Sequence, residues 1–270
     1  MRNAKCFCGS GLKKKKCHSE VHEKSTFSEI IRLHKEVDER IEHCTDKAQV
    51  KCKKGCADCC KQAFIISPNE YYYIADYYIN TYGIESFQKL LSENYLNWLQ
   101  FEKDNPKIAE NLKRNVEGNN ILNLVDNLME YLYETKETNK IYCPFLDKES
   151  MSCSVYDARP TVCRMHGTTK TSEYARMDIK QAICDNYDDT VDLNGLPMID
   201  DLLLKEKDLS MISSQKFKVK TIERCFPIFY FLKTQYDVGV LPLKHQIFEN
   251  KEMDREKSIN NKIVRLISRS

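Results

Sequence analysis

Residues 51–62 read KCKKGCADCCKQ, placing Cys52, Cys56, Cys59 and Cys60 within nine residues. Four thiols this close together cannot all be buried structural side chains. Further along come Cys143, Cys153, Cys163 and Cys184, each in a loop-like context, after a long insert with helical patterning. Two cysteine groups separated in this way imply a fold that brings them together, with the intervening helices as scaffold. The expected fold is therefore mainly α, a helical scaffold carrying a loop-borne cysteine cluster.

Composition narrows what such a cluster can be. The chain has 270 residues, 41% of them hydrophobic, which is enough for a sizeable core. Its formal net charge of +2 gives no global electrostatic case for a nucleic-acid partner. The opening residues MRNAKCFCGSG contain no apolar export segment, and no apolar run approaches the roughly 18 residues that span a bilayer. A cytoplasmic protein with no membrane contact is expected. In a reducing compartment clustered cysteines are more often metal ligands or redox groups than disulfides, and the total of thirteen is odd.

Around the cysteines the pattern is helical. STFSEIIRLHKEVDERIEHC (25–44) repeats Phe27, Ile30, Ile31, Val37 and Ile41 at helical spacing. AFIIS (63–67) reads as a brief extended stretch. Ser67-Pro68-Asn69-Glu70 has the form of a capping box with Pro at the first helical position, opening a tyrosine-rich helix that Gly83 ends. Two further helices are predicted over 84–103 and 106–137, broken at Pro106. Residues 140–187 are loop-like and cysteine-bearing. PMIDDLLLKEKDLS (197–210) and CFPIFYFLKTQYDVG (225–239) read as helices, and 249–270 as a charged helix or tail.

CFCGSGLKKKKCH (6–18) supplies Cys6, Cys8, Cys17 and His18, a complete tetrahedral set for structural zinc with no open position for a catalytic water. Gly9 and Gly11 let the chain turn tightly around an ion. A module this short buries too little to fold alone, so the metal would supply its folding free energy. The lysines at 13–16 would offset the charge of the centre. These residues resemble the SEC-C zinc motif. The resemblance implies a zinc-bound module that docks on proteins or ribosomes; a simple zinc staple is the plainer alternative. The expected organisation is a knuckle over 1–22 and a helical domain over 23–270, with its motif core at 50–187.

The eight thiols of the two cysteine groups could hold a pair of four-ligand sites, or one iron–sulfur cluster with further ligands. Adjacent Cys59 and Cys60 would normally direct their sulfurs differently. CKKGCADCC (52–60), CPFLDKESMSCSVYDARPTVCRMHG (143–167) and Cys184 together resemble the YkgJ-like cysteine-cluster family, a zinc- or iron-chelating domain. The resemblance implies that Cys52, Cys56, Cys59, Cys60, Cys143, Cys153, Cys163 and Cys184 form one metal-binding region, holding zinc or an iron–sulfur cluster. Pro160 can start a helix whose first turn carries Cys163. Arg159 and Arg164 could hydrogen-bond to cluster sulfurs or an anion, or be pinned structurally to Asp147 or Asp157. His166 stands where many relatives have an apolar residue; it is a possible ligand, though a lone His is more often not one. Cys44 and Cys225 match no motif and read as buried free thiols.

Cys52-x3-Cys56-x2-Cys59 also has radical-SAM spacing, but Asp58 occupies the usual aromatic position and no strand–helix repeats follow. Flagellin lysine methylases carry a similar cluster, so a protein-modifying enzyme is the alternative function. No Gly-x-Gly nucleotide loop is present to support it. The leading expectation is a non-enzymatic metal-binding protein.

Overall fold

The computed structural model describes residues 4–19, 21, 23–43, 52, 54–61, 64–115, 142–170, 184, 195–217 and 226–238. The fold is mainly α. A four-residue helix α1 (Lys14–Cys17) precedes α2 (Thr26–Glu42), which starts where Ser25 accepts the Ser28 N–H through its side chain at 3.1 Å. Phe27, Ile30, Ile31 and Val37 are buried as their spacing predicts, and Leu33 joins them.

Helix α3 (Pro68–Tyr82) opens with the complete reciprocal capping box between Ser67 and Glu70. Gly83 ends it in a left-handed conformation, φ +86°, that favours glycine. Helix α4 (Ile84–Asp104) and α5 (Pro106–Asn115) are separated at Asn105, just before the proline. The expected continuation of α5 to residue 137 lies outside the described residues. Next come the short α6 (Thr161–Met165), then α7 (Asp200–Phe217) and α8 (Ile228–Val238).

One expected helical segment is partly extended. Phe226–Pro227 forms a strand (β4) antiparallel to Ile65–Ile66 (β1), with Ile66 opposite Phe226. Pro227 lacks an N–H donor and is compatible with so short an edge pairing, and the helix begins one residue later. The other strands, Leu146–Asp147 (β2) and Ser152–Cys153 (β3), make a hairpin between two of the predicted ligands. Its turn is set by Asp147, whose Oδ1 accepts the Glu149 and Ser150 N–H groups.

The main apolar core lies directly behind the cysteine loops. Ile74, Phe87, Phe145, Ala158 and Leu232 are buried in it, and Cys143 and Cys153 pack against its edge. Tyr71 belongs to this core: its ring stacks on Phe231 at 4.9 Å and its hydroxyl donates to Gln235. A second cluster, built on Trp98, Phe101, Phe229 and Tyr230, joins α4 to α8. A third, of Leu33, Val37, Met165, Ile199 and Leu202, joins α2, α6 and α7. Among the described residues no helix is long and apolar enough to cross a membrane.

Candidate metal centres

The N-terminal knuckle is a small hairpin. Lys5 and Lys13 bridge, Cys6 N donates to Leu12 O at 2.8 Å, and Gly9 and Gly11 turn the chain at φ +74° and +75°. This fold-back brings the ligand atoms of Cys6, Cys8, Cys17 and His18 all within 4.8 Å of one another. Cys8 Sγ lies 3.5 Å from Cys17 Sγ, and His18 Nδ1 lies 3.3 Å from Cys6 Sγ and 3.1 Å from Cys17 Sγ. Two thiolates on one tetrahedral zinc stand roughly 3.8 Å apart, so three sulfurs and a nitrogen at these separations fit that ion. Burial pushes the Cys17 thiol up to about 11. A bound cation would reverse that by stabilising the thiolate.

The knuckle rests on α2. Phe7 and Cys8 pack against Val21, Phe27 and Ile31, and the Arg32 guanidinium stands 5.3 Å from the centre of the Phe7 ring. Lys35 lies so close to Gly9 that a Cβ there would overlap its ammonium.

The second site is a cavity of about 50 Å³. Cys52, Cys56, Cys59, Cys60, Cys143, Cys153 and Cys163 all line it. At roughly 10–15 Å³ per water-sized sphere, it has room for ions or a compact cluster. Cys59 and Cys60 sit on a 3-10 turn (Asp58–Lys61), and both residues line the cavity. The Cys143 N–H donates to Cys60 O at 2.7 Å, which stitches the two cysteine segments together. From Cys143 the β2–β3 hairpin leads back to Cys153, and the first turn of α6 brings in Cys163.

Seven cysteines and the cationic Arg159 line this cavity. Its walls are completed by apolar Phe64, Ile66, Phe145, Val155 and Ile228. Burial drives the Cys163 thiol well above its usual range and raises Cys52 and Cys153. Cys59 is driven up first by its hydrogen bond with Cys60, and then by burial. A hydrogen bond with Cys143 heads the causes that push Cys60 up to about 12. Without a cation these sulfurs keep their protons; all-sulfur donors in a largely apolar wall suit a soft metal such as zinc or iron.

Residues 51–185 match the CxxCxxCC family, whose description is "Putative zinc- or iron-chelating domain". The chain belongs to this family. No curated protein and no solved structure matches the chain. The CxxCxxCC match runs through Cys184 and leaves the knuckle outside it.

Within the CxxCxxCC region, Cys184 is buried beside the cavity wall and does not line the cavity as the other seven do. It sits against Gly167, where a built Cβ would come 3.3 Å from Cys184 Sγ and 3.6 Å from Cys52 Cβ. The two arginines part company. Arg159 lines the cavity, with its guanidinium 3.7 Å from the centre of the Tyr156 ring and Nε donating to Tyr156 O. Arg164 is buried and committed elsewhere, pairing with Asp38 and donating to the carbonyls of Arg159 and Asp157. Neither arginine is pinned by an Asp147 or Asp157 side chain in these bonds. The His166 ring packs against Phe64, 5.1 Å between centres. Cys44 and Cys225 lie outside the described residues. Gly167 and Tyr156 were not singled out from sequence; the glycine directly after CRMH was the available signal for the first.

Proposed function

We propose that this CxxCxxCC chain is a metal-binding protein with two thiolate centres of different kinds. The knuckle would hold one structural zinc through Cys6, Cys8, Cys17 and His18. Cys52, Cys56, Cys59, Cys60, Cys143, Cys153 and Cys163, with Cys184 beside them, would hold a polynuclear centre of zinc or of iron and sulfide. The observation that carries this reading is that seven cysteines line one small cavity, more than the four that satisfy a single tetrahedral ion, although among the described residues only the knuckle brings three or more ligand atoms within mutual reach. None of the eleven described cysteines forms a disulfide, which suits a reducing compartment.

The test is metal and acid-labile sulfide content with a visible spectrum, on protein purified without oxygen. Iron and sulfide beside about one zinc would make the main centre iron–sulfur. Three or more zinc ions without colour would make it a zinc cluster. A single metal per chain would overturn the two-centre reading.

One observation favours an enzymatic role. A second cavity, of about 510 Å³, runs along α4 past Glu93, Asn97, Asp104, Tyr142 and Lys148 and shares Cys143 with the first. That volume suits a small molecule, and a redox-active iron centre in the same experiment would favour this reading.

The SEC-C likeness of the knuckle suggests a docking role on a protein or ribosomal surface. Leu12 supports it: the side chain is 52% exposed at the hairpin turn, next to exposed Lys13, Lys15 and Lys16. An apolar tip ringed by cations suits an anionic partner with an apolar recess.

A further inference from the structure

Glu70 was legible in the sequence only as the third helical residue of a capping box. In the fold its carboxylate does two separate jobs. Oε2 faces its own helix, accepting the Ser67 N–H and the Ser67 hydroxyl, both at 3.3 Å. Oε1 turns outward and accepts the Thr161 N–H at 2.6 Å, 91 residues away, at the first residue of α6. The same oxygen lies 3.4 Å from Nε2 of His34 on α2. Both side chains are 3% exposed.

Among the described residues His34 Nδ1 has no hydrogen-bond partner, so the single proton of a neutral imidazole belongs on Nε2, where it is donated to Glu70. Burial holds His34 below its usual range and so keeps it neutral. Burial works against the Glu70 charge, and the hydrogen bonds from His34 and Thr161 favour it. One buried oxygen therefore ties α2, α3 and α6 together. Two residues beyond Thr161 is Cys163, whose thiol must reach the cavity. Helix α6 has only five residues, too short to hold its own direction without outside anchors.

We infer that Glu70 is a positioning residue for the main metal centre: its Oε1 sets the start of α6, and thereby where Cys163 Sγ stands among the other thiols. The inference rests on the metal-centre reading above and adds a residue that touches no ligand.

Two variants separate reach from charge. Glu70→Gln removes the charge and can keep its one oxygen at the Oε1 position for Thr161 and His34, giving up the bond from the Ser67 N–H. Glu70→Asp keeps the charge and draws the carboxylate back by one methylene. Metal per chain and the thiolate-to-metal absorption bands are measured on the full chain, with the knuckle zinc as internal control and far-UV circular dichroism to check folding. Glu70→Gln is expected to load like wild type. Glu70→Asp is expected to lose at least half of the main-centre metal and to shift its bands, while keeping one zinc in the knuckle. Equal loading of both variants overturns the inference, as does a loaded Asp variant beside an empty Gln variant, or the loss of metal from both. A wild-type chain with no metal beyond the knuckle zinc would instead sink the metal-centre reading itself.

Discussion

At Gly167 the backbone takes φ +73°, and a Cβ there would press on Cys184 from 3.3 Å. An L side chain in this left-handed region costs roughly 1–2 kcal/mol before any crowding is counted. Gly167→Ala should therefore destabilise the protein by at least about that amount, and should displace Cys184 or Cys52. Chemical denaturation read by circular dichroism checks the first effect, and metal content the second; an unchanged midpoint would mean that the loop relaxes freely. The arginines make a related point about residues of one type. Arg159 and Arg164 are five positions apart and look alike in sequence, yet Arg159 borders the thiols and Arg164 serves Asp38 on α2. Burying a guanidinium requires a paired charge and filled donors, and the two backbone carbonyls and Asp38 supply both for Arg164. Which arginine found such a pocket was not readable from spacing.

Helix α2 is the element on which both centres depend. Its N-terminal half receives the knuckle through Phe27 and Ile31, and its middle reaches α3 through His34 and α6 through Asp38. The knuckle is too small to hold itself together by burial, so its order should follow its metal. Cys8→Ser is expected to release one zinc per chain and to raise hydrogen exchange over residues 4–19 to near the unfolded rate. The main-centre metal and the exchange of α3 and α4 should stay as in wild type. Loss of metal from both centres would show that the knuckle zinc is needed for the whole fold. The helices themselves were well marked in sequence, because capping by Ser67 and breaking at Gly83 and Pro106 are local effects. The β1–β4 pairing was not, since Ile65–Ile66 meets Phe226–Pro227 only after the chain has traversed most of the molecule.

For the molecule as a whole, the proposed docking role can be separated from stability. Leu12 is exposed and belongs to none of the apolar clusters, so Leu12→Asp should leave metal content and melting temperature unchanged. If the knuckle docks on ribosomes, the same change should weaken co-sedimentation with them at least several-fold. Undiminished co-sedimentation, or none by the wild type, would leave the knuckle a staple. By itself the sequence determined the cysteine inventory and the mainly helical scaffold, and pointed to metal binding. These follow from thiol chemistry, from periodicity and from capping, all of which act within a few residues. Only the tertiary structure decided which groups share a space: seven thiols on one cavity with Cys184 behind it, Arg164 with Asp38 across 126 residues, and Glu70 reaching from its own cap to the helix of Cys163. Such meetings are set by how helices pack, and close packing between distant segments leaves no periodic trace in either segment alone.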